Sequence, residues 1–168
     1  VTNANPDANG SVIPLGVSNI GQFKFTAAAN SNSKNGLNDV LIDELTFSVV
    51  AANVAIDASS FRLFNKADMT TYALPSSVTL IGNTYTVKFS NLPGTWVNSE
   101  IDQGTNQTFV LQANVTNNKV SSVQASALQV TLLTDLIKWV DVDGILLSPL
   151  FIGLGLPDNV VKSTLYLG

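Results

Sequence analysis

The chain has 168 residues, of which 45% are hydrophobic and only 12% charged, with 12 acidic side chains against 8 basic ones and a formal charge of −4. It contains no His and no Cys. That absence excludes thiol nucleophiles, Ser-His-Asp triads, zinc fingers, haem ligation and iron–sulfur clusters, and a sparse, scattered basic content on an acidic chain excludes tight binding to phosphate backbones.

The N-terminus reads Val1 rather than Met, as expected of a processed or excised chain, and no basic stretch followed by an apolar one marks a signal peptide. Ten mostly polar residues lead into SVIPLGVSNI, where Ile13, Leu15 and Val17 alternate with Pro14, Gly16 and Ser18. Pro14 donates no ladder hydrogen bond, which places this strand at a sheet edge or in a groove. Phe23, Phe25 and Ala27 then alternate with Gln22, Lys24 and Thr26, the period-two signature of a half-buried strand. Leu41, Asp43, Leu45, Phe47 and Val49 outline a second such face, and segment 51–60 (AANVAIDASS) carries a weak helical pattern. Phe61 and Leu63 mark a short strand. Val78, Leu80, Tyr85, Val87 and Phe89 flank Gly82-Asn83, a two-residue hairpin signal. Phe109, Leu111, Ala113 and Val115 alternate cleanly, Leu128, Val130 and Leu132 follow, and Val160 to Leu167 closes the chain as a strand. The longest apolar run, ILLSPLFIGLGL over 145–156, is 12 residues with Pro149 inside it, against the roughly 20 needed to span a bilayer, so no membrane span is expected. With turn clusters at short intervals and no long helical segment, the pattern predicts a single all-β, antiparallel sandwich of seven to ten strands.

Carboxylates are the only candidates for metal or catalytic chemistry. Asp141 and Asp143, separated by Val142 and followed by Gly144, offer alternate oxygens on one side of a turning segment, a fragment of a Ca²⁺ cage that Asp39 or Asp135 would have to complete through the fold. The same pair also reads as solvated carboxylates at a strand end. Asp39, Asp43 and Glu44 read either as a paired-carboxylate site or, more economically, as charged guards beside an apolar strand. Trp96 and Trp139 read as sugar-stacking rings or as plugs at the ends of a sandwich core. No enzyme activity is expected, and no cofactor beyond Ca²⁺. Sequons stand at Asn9, Asn106 and Asn114, candidate glycosylation sites in a chain rich in Asn, Ser and Thr.

The succession GQFKFTAAAN, VLIDELTFSV, FRLFN, TYTVKFSNLPGTWV, GTNQTFVLQANV, ALQVTLLTDLIKWVDVDG and GLPDNVVKSTLYLG resembles the Ig-like β-sandwich domains of large prokaryotic surface proteins over residues 20–168. Its most specific pieces are the GTNQTFVLQANV strand and the Trp139-Val140-Asp141 triplet followed by the GLP…STL ending. The resemblance implies an extracellular or cell-surface setting of the surface-layer or filament type and transfers no catalytic residue. The resulting expectation is an Ig-like or jelly-roll-like sandwich at 20–168 preceded by an extended donor strand at 1–19. Val12, Ile13, Leu15, Val17 and Ile20 are the expected subunit interface of a filament or sheath that grows head to tail from copies of itself, by donor-strand-type β-strand addition. The alternative is an adhesive or carbohydrate-binding module, Ca²⁺-stabilised.

Overall fold

Alternating apolar side chains bury one face of a strand, and two such faces must meet to exclude water. In the computed structural model, which describes residues 1–5, 8, 10–28, 39–117, 119, 121, 123–140, 146–147 and 161–167, they meet as an antiparallel β-sandwich. The first sheet runs in the order β1 (Thr2–Asn3), β2 (Gly16–Thr26), β10 (Asn106–Asn117), β5 (Arg62–Asn65) and β6 (Asp68–Ala73), with β4 (Val54–Ile56) on the far stretch of β10. The second is built on β3 (Val40–Ala52). One edge of β3 carries β8 (Thr84–Phe89) and then β9 (Glu100–Ile101), with β7 (Ser77–Ile81) outside β8. Its other edge carries β11 (Ala127–Leu132) and β12 (Lys138–Val140), flanked by β14 (Val161–Leu167) and β13 (Leu146–Leu147) respectively. The fourteen strands among the described residues exceed the expected seven to ten because three of them are two-residue pairings and because β3 takes two short partners along each edge.

Phe23 from the first sheet meets Phe47 of the second at 5.4 Å between ring centroids, and Phe47 meets Phe89 edge-on at 5.9 Å. Phe109 stands 5.1 Å from Phe25 and 5.5 Å from Trp96, which is buried. Trp96 therefore fills the core, as one of its two sequence readings had it. Gly82-Asn83 turns β7 into β8, Ile81 pairing with Thr84, with Gly82 at a φ of 62°.

Two expectations from periodicity change in the structure. In β3 the inward residues are Ile42, Leu45, Phe47, Val49 and Ala51, with Val40 packed against them, while Leu41 is not among them. The β3–β12 register slips between Lys138↔Glu44 and Trp139↔Ile42, leaving Asp43 as an extra residue in a bulge. One unpaired residue reverses which face follows it, so strict alternation through Asp43 misassigns the half before it. Segment 51–60 is not helical as a whole. Asn53, at a φ of 53°, turns the chain out of β3 and into β4, which pairs with β10 in the other sheet, and only Ala58–Ser60 make a 3₁₀ turn, capped by Asp57. Val54 and Ile56 bury their side chains in the core, and the Tyr85 hydroxyl donates to Ile56 O at 3.1 Å. Tertiary burial outweighs the weak local helical preference.

Candidate functional site

The N-terminal segment is a strap that touches both sheets along one flank. Thr2 and Asn3 pair with Lys24 and Phe23 of β2, and Ala4 N–H extends the pairing to Gln22 O at 2.9 Å. The Asn3 side-chain oxygen accepts from Asn5 N–H at 2.8 Å and bends the chain away. After Gly10, at a φ of 82°, Ser11 O accepts from Leu167 N–H at 2.9 Å and Val12 forms a parallel bridge with Leu167, so the strap has moved to the edge of the second sheet. Gly16, at a φ of 75°, swings it back into β2. Left-handed corners of this kind are open to Gly at little cost. Between the corners, Pro14 brings no N–H of its own.

The five expected interface residues divide between two faces. Ile13 and Ile20 are 7% and 0% exposed and belong to the core of their own chain. Val12, Leu15 and Val17 are 80%, 56% and 69% exposed. Residues 16–19 are also part of β2: Val17 pairs with Asn114, and the Asn19 side chain accepts from Gln112 Nε2 at 3.1 Å. From Gly16 to Asn19, β2 has β10 as its only ladder partner among the described residues. Of the sequons, Asn106 is exposed at the start of β10, and Asn114 is half-buried on the face of β10 opposite the core residues Ala113 and Val115. Asn9, Asp141 and Asp143 lie outside the described residues.

At one end of the sandwich, the starts and ends of β3, β9 and β12 converge. Ile101 pairs with Val40 and Glu100 with Leu41, while Val140 pairs with Leu41 from the other side. This convergence brings carboxylate oxygens of Asp39, Glu100 and Asp102 within 4.8 Å of one another. Asp39 also accepts from Gln103 N–H at 2.8 Å, which fixes its orientation. Three hard oxygens at this spacing supply part of the six to eight that Ca²⁺ takes. Asp39 was read from sequence as a possible shell member, whereas Glu100 and Asp102 were not, because only the β3–β9 pairing brings them alongside it. Beside the cluster lies an open apolar cavity of about 190 Å³, lined by Val1, Phe25, Val40, Ile42, Ile137 and Trp139 among others. Trp139 is half-buried there and packs against the core.

The other acidic groups are engaged structurally. Glu44 is buried and takes Lys88 at 3.0 Å and Lys138 at 3.2 Å, a clasp across three strands. Asp68 accepts from the hydroxyls of Thr70 and Thr71, from Asn98 Nδ2 at 2.8 Å and from Thr70 N–H at 3.0 Å, and these bonds hold its carboxyl well below the usual carboxylate range. Asp57 is lowered by the Ser59 hydroxyl and backbone N–H that it caps.

No helix among the described residues is long and apolar enough to cross a membrane. No protein-family model matches the chain, and no curated protein does. Among solved structures, ACE19, the collagen-binding subdomain of the Enterococcus faecalis surface protein ACE, is similar at 8% identity and a TM-score of 0.39, over 88% of this chain and 96% of that one. A chain from the structure of the Gaeumannomyces graminis manganese lipoxygenase with part of the Komagataella pastoris zonadhesin is similar at 11% identity and a TM-score of 0.34, over 92% of this chain but only 50% of that one. Superpositions this loose decide nothing about function.

Proposed function

We propose that the protein is a structural subunit of an extracellular filament or surface sheath that polymerises by donor-strand-type β-strand addition between neighbouring copies. The observation that carries this reading is the strap. It is anchored in its own core through Ile13, while Val12, Leu15 and Val17 face outward beside a stretch of β2 that has no second ladder partner among the described residues. A strand edge with apolar side chains and no guarding charge is a template for another chain.

The test replaces the outward residues only. Leu15→Lys and Val17→Lys leave Ile13 and Ile20 in place, so the fold is expected to survive, with the circular dichroism spectrum and melting temperature close to those of the parent. The parent is expected to form filaments visible by negative-stain microscopy, and both variants are expected to form none. Unchanged filaments in both would remove the strap from the assembly.

The cluster of Asp39, Glu100 and Asp102 favours a second reading: an adhesive module whose sandwich end is stabilised by Ca²⁺. Millimolar Ca²⁺ should then raise the melting temperature, and Asp102→Asn should abolish the rise. An equal shift in both proteins, or none in either, counts against it.

A further inference from the structure

Thirteen large apolar side chains are exposed among the described residues, and they are not scattered. Val1, Val12, Leu15, Val17 and Leu167 lie on the flank where β1 and β14 form the sheet margins. Met69, Tyr72, Leu74, Leu80, Ile81 and Val97 lie on the opposite flank, where the margins are β6 and β7. Val97 belongs to that flank because its neighbour Asn98 donates to Asp68 and to Thr71 of β6. Val123 and Leu136 lie in the β10–β11 and β11–β12 connections. Single exposed hydrophobics need no explanation, but two opposed concentrations do.

Charge follows the same division. Between Asp7 and Lys24, and again between Asp68 and Lys88, the sequence contains no Asp, Glu, Lys or Arg. Edge strands are ordinarily protected by lysines, prolines, bulges or brevity. β7 has none of these. It runs SVTLI in unbroken register with β8, from Ser77↔Lys88 to Ile81↔Thr84, and β8 is its only ladder partner among the described residues. β6 is less suited to receive a strand, because its pairing with β5 slips between Phe64 and Asn65 and its first residue, Asp68, is tied to Asn98.

Building on the filament reading, we propose that β7 is the acceptor edge: Ser77–Ile81 of one copy takes the Val12–Leu15 stretch of the next copy's strap, ahead of the Gly16 corner, as an added strand, with Leu80 packed against Leu15. Donor and acceptor lie on opposite flanks of one sandwich. The contact is therefore heterologous, leaves a free donor and a free acceptor after every addition, and extends without closing. The strap keeps its hold on its own subunit through Ile13 and the Ser11–Leu167 hydrogen bond, so addition does not require the donor to unfold.

The test uses the full chain, whose lack of Cys makes introduced thiols unique. Leu80→Cys and Leu15→Cys are prepared as separate proteins and oxidised alone and as a mixture. The expected result is a disulfide-linked dimer that accumulates in the mixture and far less in either protein alone. In parallel, Leu80→Lys should raise the critical concentration for assembly about tenfold or more, since it places a charge in a contact meant to be dry, while Val123→Lys, off both flanks, should leave it unchanged. If filaments form but Leu15→Cys links mainly to itself, or Leu80→Lys assembles like the parent, β7 is not the acceptor and the filament reading stands. If the parent stays monomeric at every concentration, both fail.

Discussion

Gly21 and Gly16 stand five positions apart in one strand and are needed for different reasons. A Cβ on Gly21 would lie 2.9 Å from Val130 Cγ1 and 3.0 Å from the Phe23 ring, so the core has no room for it. A Cβ on Gly16 meets nothing within 4 Å, but φ there is 75°. Gly21→Ala should cost about 1–3 kcal/mol through overpacking, and Gly16→Ala about 1–2 kcal/mol through backbone strain. Asn separates the two causes, because it tolerates left-handed backbone but is bulkier than Ala: urea midpoints should show Gly16→Asn milder than Gly16→Ala, and Gly21→Asn harsher than Gly21→Ala. At Glu44 the charge itself matters. Glu44→Gln weakens its bonds to Lys88 and Lys138, and because both lysines are partly in water the loss should be about 1 kcal/mol, measurable in the same denaturation series.

Among the elements, the tie between β6 and the β8–β9 connection joins the two sheets through side chains alone. Asn98 Nδ2 reaches Asp68 at 2.8 Å and the Thr71 hydroxyl at 2.7 Å, and Thr71 in turn donates to Asp68 at 2.7 Å. These donors stabilise the ionised carboxylate, so the folded chain releases the Asp68 proton more readily than the unfolded chain does. The resulting stabilisation is complete above the unfolded value, near pH 3.9, and declines as the pH falls below it. The melting temperature of the parent should therefore exceed that of Asp68→Asn by a constant margin from about pH 8 to about pH 5, and the margin should shrink steadily below about pH 4. A margin that stays level down to pH 3 would show that Asp68 acts there without its charge.

For the molecule as a whole, the Val12–Leu15 and Ser77–Ile81 segments proposed to meet in the filament contain no charged residue. Salt screens charge pairs over about 8–10 Å at physiological ionic strength but leaves apolar contact intact, and sulfate strengthens it. Assembly should accordingly persist when NaCl is raised from about 0.1 M to about 1 M, and sulfate should lower the critical concentration. Light scattering across a salt series checks this. Dissolution of the filaments in high NaCl would point instead to contacts between charged surfaces.

Much of this organisation was legible in the residues. Alternation in Phe23–Phe25–Ala27, Phe109–Leu111–Ala113–Val115 and Leu128–Val130–Leu132 marked inward faces that are buried in the structure, and Gly82-Asn83 marked its hairpin, because period-two burial and turn chemistry are local properties. The bulge at Asp43 was hidden, since it arises from how β12 sets against β3 rather than from any signal in LIDELTF. The strap shows the same limit. Its sequence gives five apolar residues of similar kind, but only the two sheets in three dimensions separate Ile13 and Ile20, which close their own core, from Val12, Leu15 and Val17, which remain in water. Likewise Asp39, Glu100 and Asp102 meet only once β9 pairs with β3. By itself the sequence determined the class of fold, the turn that joins β7 to β8 and the scarcity of charge. Which edges are left open, and on which sides of the sandwich they lie, was decided by tertiary structure, because an edge is defined by the neighbour it lacks.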